Sequence, residues 1–265
     1  MVTNNSINTP TIPKTYTTGD TLYASATDTL SKLAIGGFGA SQGVGSTGIP
    51  AWITPNAYSS FFDDFMHFEL GTWSSNTAGG SLTRSTSGVA NHPGLWTLST
   101  LGSSTGAANI HQLETSVVLD GGQILVEWCV RIPTLSDAGE TFTIRSGIMD
   151  SSNPTESNNA VYFRYTHGEN SGNWVLVARN AGAETPTNST TAVGTNYTRL
   201  TIIISPLTPL ATFYVNGVSV GTVASGIPTA NPMGLQSQIV KSVGNNARTL
   251  ILDYSSMFYQ LAAAR

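Results

Sequence analysis

Cysteine occurs once in the 265 residues, as Cys129, so no disulfide can form within one chain and stability must come from packing and assembly. Charge is scarce as well. Asp, Glu, Lys and Arg make up 10% of the residues, against about a quarter in ordinary soluble domains. The 11 basic and 15 acidic residues form no Lys/Arg cluster, which removes the electrostatic footprint of a nucleic-acid binder. No run of about 18 apolar residues offers a membrane-spanning helix. The start, MVTNNSINTPTIPK, has no basic stretch leading into an apolar one, so no secretion signal is read and assembly in a cytoplasm is expected. Helical periodicity is also nearly missing: Thr29–Ala34, Ser59–Leu70 and the terminal LAAAR could each support only a turn or so.

What remains is a chain rich in Gly, Ser, Thr and Asn, with strand patterns separated by polar breaks. Gln123–Ile132, Thr141–Met149, Ala160–Thr166, Asn173–Arg179, Tyr197–Ile204 and Arg248–Leu261 combine β-branched and aromatic residues as strands do. The breaks fall at Asp150–Asn159, His167–Gly172 and Ala181–Thr195. In Ala211–Val223, Asn216-Gly217 stands between alternating apolar positions, the strongest short-range signal of a type I′ hairpin. The fold class expected is all-β, one sandwich of about 200 residues with an extension. The boundary is placed at the aromatic cluster beginning at Tyr58, giving segments 1–57 and 58–265.

The extension opens with an Asn-, Thr- and Pro-rich stretch in which Pro10 and Pro13 remove backbone donors, so it is expected to be extended. Next comes GDTLYASATDTLSKLAIGGFGASQGVGSTGIPAWIT, Gly19–Thr54, with short apolar bursts at Leu22, Tyr23, Leu30, Leu33, Ile35, Phe38 and Trp52. That is too little apolar surface for an independent fold. The segment resembles a short module of tailed-bacteriophage structural proteins, especially tail fibres and other virion appendages. The start is carried by Gly19, Asp20, Leu22, Tyr23, Ala24, Ser25 and Ala26, the middle by Thr29, Leu30, Lys32, Leu33, Ala34 and Gly36, and the end by Gly48, Pro50 and Trp52. The resemblance implies a virion component anchored and oligomerised through those apolar residues, as a homotrimer whose copies share an axis. Residues 58–265, with the hairpin and the closing pattern Leu250, Ile251, Leu252, Asp253, Tyr254, Phe258, resemble a concanavalin A-like jelly roll. Folds of that kind host both glycan binders and glycan-cleaving enzymes.

The sequence shows no catalytic set. The strand-borne E-x-D-x-x-E of a retaining glucanase is absent. Ile110-His111 and Tyr259-Gln260 resemble residues of alginate lyases, but the order is not kept and the basic tyrosine–lysine strand is missing. Glu127 and Arg131 share a strand face and are read as a solvent-facing pair opposite Ile124, Val126, Trp128 and Val130. His67, His92, His111 and His167 lack zinc-site spacing. Calcium is the one cofactor considered: Asp63, Asp64 and the loop from Asp150 to Glu156 offer hard oxygens, though their spacing fits no calcium loop and turn chemistry accounts for them.

For sugar recognition the sequence points to Trp73 with Asn76 and to Trp96 with Asn91, an indole plate beside amide partners. Trp128 and Trp174 are expected in the core. The expected function is therefore a non-enzymatic virion protein, a fibre or decoration component on tail or capsid. Its expected partners are further copies of itself, other virion proteins and host cell-surface glycans. The alternatives are a purely architectural spacer and a polysaccharide depolymerase or lyase.

Overall fold

The computed structural model describes residues 21–26, 29–33, 41–44, 50–53, 58–66, 73–112, 117–119, 121–151, 153–154 and 156–261. They form strands β1 (Thr21–Ala26), β2 (Thr29–Leu33), β3 (Ser41–Val44), β4 (Pro50–Ile53), β5 (Tyr58–Asp63), β6 (Ser74–Ala78), β7 (Ser81–Val89), β8 (His92–Ser99), β9 (Ala107–His111) and β10 (Val117–Val118). There follow β11 (Ile124–Arg131), β12 (Phe142–Met149), β13 (Ala160–Thr166), β14 (Asn173–Asn180), β15 (Ala183–Ala192), β16 (Thr198–Ser205), β17 (Leu210–Val215), β18 (Val218–Val223), β19 (Pro232–Lys241) and β20 (Thr249–Gln260). The chain divides into two compact units, the second running from Ser59 to Ala262.

In the first unit β1 pairs with β2 and β3 with β4, each an antiparallel two-stranded ribbon. Leu22 and Tyr23 stand on β1, Leu30 and Leu33 on β2 and Trp52 on β4. Ile35 and Phe38, expected to anchor with them, lie outside the described residues, as does His67. The helical turn expected at Thr29–Ala34 is strand β2 through Leu33.

The second unit is a sandwich of two sheets. One runs β15-β14-β13-β12-β19-β9-β6 with β10 beside β19, the other β18-β17-β16-β11-β20-β8-β7 with β5 beside β20. Between them lies a single large core to which β11 gives Ile124, Val126, Trp128 and Val130, and β14 gives Trp174, Leu176 and Ala178. Trp128 and Trp174 are both buried, as expected. Trp128 also ties the layers together, its Nε1–H donating to the carbonyl of Gly147 on β12 at 3.1 Å, since a buried indole N–H needs a partner. The Asn216-Gly217 turn has φ of 51° and 83°, the positive pair a type I′ hairpin demands.

Two further expectations are corrected, and a long strand was not expected. Ser59–Asp63, read as helical, belongs to β5, and the supposed break Ala181–Thr195 carries the edge strand β15. β19, a long strand inside the first sheet, had no counterpart among the expected strands.

Candidate functional site

Period-2 alternation gives the β15–β6 sheet two faces. Ile144, Ile148, Phe163, Leu235 and Ile239 face the core. The other face carries the residues between them. Directly opposed pairs run Asn76–Asn109–Gln238–Arg145–Arg164 across β6, β9, β19, β12 and β13. Two residues along each strand, a second row runs Ser74–His111–Gln236–Gly147–Tyr162. Five strands at roughly 4.8 Å spacing make a polar band about 19 Å wide.

The band is deeply packed for an outward face. Asn109, Gln236 and Gln238 are 0% exposed, Tyr162 1%, Arg145 8% and Arg164 9%. Asn109 Oδ1 accepts the Asn76 N–H at 2.8 Å, and Gln236 Nε2 donates to Gln238 Oε1 at 3.1 Å. Gly147 contributes no side chain between Gln236 and Tyr162, and a Cβ there would stand 2.2 Å from the Val161 carbonyl oxygen.

Toward β14 and β15 the amides give way to charge. Arg164 donates through Nη1 to both oxygens of Glu184 at 2.8 Å, through Nε to Glu169 Oε2 at 3.0 Å, and through Nη2 to Glu169 Oε1. Arg179 lies 3.6 Å from Glu184 and donates to Glu156 Oε2 at 2.6 Å, while Arg145 Nη2 donates to Glu156 Oε1 at 3.0 Å. The result is an alternating ladder, Glu169–Arg164–Glu184–Arg179–Glu156–Arg145. Its guanidinium donors are not all used: Nε of Arg145 and Nε of Arg179 have no partner among the described residues. Burial pushes the Glu156 carboxyl up, but the cations of Arg145 and Arg179 outweigh it and hold the group below its ordinary value. The Arg164 guanidinium loses by burial and gains more from Glu169 and Glu184, so its proton is held more tightly than usual. Burial raises the Tyr162 phenol, whose hydroxyl lies 3.4 Å from Glu184 Oε2.

The expected sugar residues are distributed differently. Trp96 is 9% exposed within the core, so it offers no open plate. Trp73 is half-buried, its Nε1–H donating to Asp63 Oδ2 at 2.7 Å and its ring flanked by Phe61, Phe65 and Trp128. Both indoles line a cleft of about 210 Å³ with Ser74, Ser75, Leu82 and Ile110. Asn91 is the left-handed turn residue between β7 and β8, at φ 67°, a role Asn fills for local steric reasons. Asn76 alone of the four stands at the end of the polar band.

The calcium candidates are engaged otherwise. Asp63 also accepts the Phe65 N–H at 2.7 Å, Asp64 accepts the Met66 N–H at 3.2 Å, and Asp150 Oδ2 accepts from Asn159 Nδ2 at 2.7 Å. No group of three or more His, Cys, Asp or Glu that could hold a metal ion occurs among the described residues. Glu127 and Arg131 do not form the expected pair. Glu127 accepts from Thr201 at 2.6 Å and Tyr254 at 2.7 Å, whereas Arg131 donates to the Thr195 carbonyl and lies over the Tyr197 ring. Cys129, beside Asp253, is buried and its thiol is pushed up to about 12, by burial first, which makes it unreactive.

The SO2946-like C-terminal domain family model matches residues 91–253. The chain belongs to this family. A protein of unknown function, SO2946 of Shewanella oneidensis MR-1, superposes with a TM-score of 0.56 at 14% identity, covering 78% of this chain and 88% of its own. A β-1,3-1,4-glucanase (lichenase) from a mouse hindgut metagenome gives 0.53 at 13% identity, covering 75% and 98%. The carbohydrate recognition domain of Emp47p gives 0.52 at 9%, covering 78% and 96%. No curated protein matches the chain. At such identities the likeness speaks of fold alone, and the fold is the expected concanavalin A-like jelly-roll sandwich.

Proposed function

We propose that this member of the SO2946-like family is a non-enzymatic, glycan-binding component of a phage virion, and that its sugar-contacting surface is the arginine–glutamate ladder. The observation that carries the binding reading is the concentration of charge. Six of the chain's 26 charged residues, 11 basic and 15 acidic in total, join in one line of ion pairs over one sheet face. Planar donor forks interleaved with carboxylates suit the hydroxyls of a sugar, which both donate and accept.

Two features support binding rather than cleavage. Each ladder carboxylate is held by at least one guanidinium. Glu156 is held in its charged form. A hydrolytic acid needs instead a carboxyl whose pKa is raised. The virion setting is supported by the resemblance of Gly19–Thr54 to the appendage module.

A glycan array followed by calorimetry tests the binding. Arg179→Ala should weaken the best array glycan by tenfold or more while the main melting transition persists. Absence of any wild-type binding, or equal binding by the variant, would sink the reading, and new reducing ends or unsaturated uronates on incubation would replace it with the depolymerase alternative.

A further inference from the structure

The ladder has one rung unlike the others, and resting on the binding reading above it identifies the ligand class. Arg164 is shared by Glu169 and Glu184, which leave 11% of its side chain exposed. Arg145, only 9% of whose side chain is exposed, has among the described residues a single carboxylate partner, Glu156, and no partner for its Nε. Glu156 is the least buried member of the ladder, at 46%. It reaches in from the connection between β12 and β13 and gives one oxygen to Arg145 on β12 and the other to Arg179 on β14. The strand between them, β13, presents small Ala160 opposite Arg179. Without Glu156 the ladder would hold three cations and two anions, a vacancy for one carboxylate between two guanidinium groups.

We infer that the ligand is an acidic saccharide, and that Glu156 occupies in the free protein the place that a carboxylate of the ligand takes on binding. The exchange is cheap in charge: one carboxylate leaves for water as another enters, and Arg145 is never left buried without a counter-ion, the costly outcome. A neutral sugar makes no such exchange, because it would strand Arg145, whereas Arg179 keeps Glu184 at 3.6 Å. Glu156 is thus a specificity-determining residue that competes with the ligand and sets its affinity. Removing its charge lifts the competition.

Calorimetry with tetragalacturonate as the acidic probe and cellotetraose as the neutral one tests the exchange in the full-length chain. Glu156→Gln should bind tetragalacturonate about tenfold more tightly than the wild type, with cellotetraose unchanged. Because Arg145 then lacks its counter-ion, the variant's melting temperature should start lower than the wild type's and rise more on adding tetragalacturonate; this thermal shift is the second readout if the variant is too unstable for calorimetry. Equal or weaker acidic binding by Glu156→Gln, with no greater thermal shift, overturns the exchange. The glycan-binding reading would survive that result if Arg179→Ala still weakened binding of the array glycan by tenfold or more, so the two failures are distinguishable.

Discussion

At the residue scale the clearest electrostatic commitment lies away from the ladder. Glu140 accepts from the Asn246 N–H at 2.9 Å, the Asn246 Nδ2 at 2.7 Å and the Asn245 N–H at 3.1 Å, and pairs with Lys241, whose side chain is fully buried. Lys241 first, helped by Asn246, lowers the Glu140 pKa to about 2 from 4.5. A carboxyl with a depressed folded pKa contributes stability that is complete above its unfolded value and is lost as pH falls through the folded one. The window is therefore from about 4.5 down to about 2. Glu140→Gln should melt lower than the wild type at pH 7, because Lys241 stays buried with no counter-ion, and its melting temperature should fall less steeply across that window. A wild-type and variant pair with parallel pH profiles in thermal melts would refute the assignment. Nothing in the sequence marked Glu140, since its partners Asn245 and Asn246 lie more than a hundred positions away. The same blindness made Trp96 an open plate, where the fold leaves it 9% exposed at the wall of a cleft. An indole between polar neighbours reads alike whether the loop folds it in or out.

At the scale of the element, legibility followed the strength of alternation. The segments of β13 and β14 were readable because apolar, β-branched and aromatic residues crowd both of their faces, and β11 because Ile124, Val126, Trp128 and Val130 fill one face while Glu127 and Arg131 stand on the other. β19 was not. Its core-side row is Met233, Leu235, Ser237, Ile239 and its outer row Gly234, Gln236, Gln238, Val240, so polar groups interrupt both periods. The structure accommodates them by pairing: Ser237 Oγ lies 2.7 Å from Ser146 Oγ in the interior. β15, with Pro186 and four threonines, looks like a loop because an edge strand needs partners on one side only. Three of the polar band's strands, β6, β9 and β19, were thus missed as strands for the same physical reason that they matter. The band's narrowest tolerance is at Gly147. A methyl there would lie 2.2 Å from the Val161 oxygen and 2.6 Å from Tyr162 Cα, so β12 and β13 would have to part. Gly147→Ala should destabilise by about 2–3 kcal/mol, lowering the main melting transition by roughly 4–12 °C. Gly194→Ala, with nothing within 4 Å of the added carbon, is the control expected to melt like the wild type. Equal melting of the two variants would show that the strands have room to spare.

At the scale of the whole molecule, the two units differ in what can sustain them. The sandwich has a core continuous across both sheets, anchored by Trp128, Trp174, Phe142 and Phe213. Among the described residues the first unit has two-stranded ribbons, β1–β2 and β3–β4, and isolated hairpins are marginal in water. The few apolar residues between Leu22 and Trp52 cannot supply a core of their own from one chain, whereas several copies around one axis would pool them. We propose, from that argument and the appendage resemblance, that the copies number three. Light scattering of the full-length protein at micromolar concentration should give about 83 kDa, three times the chain mass of 27.8 kDa. The joint substitution of Leu22, Leu30 and Leu33 by Ser should shift that mass toward the monomer while leaving the melting transition of the sandwich in place, since the sandwich has its own core. A wild type that scatters as a monomer, or a triple variant that keeps the oligomer, would remove residues 1–57 from the assembly.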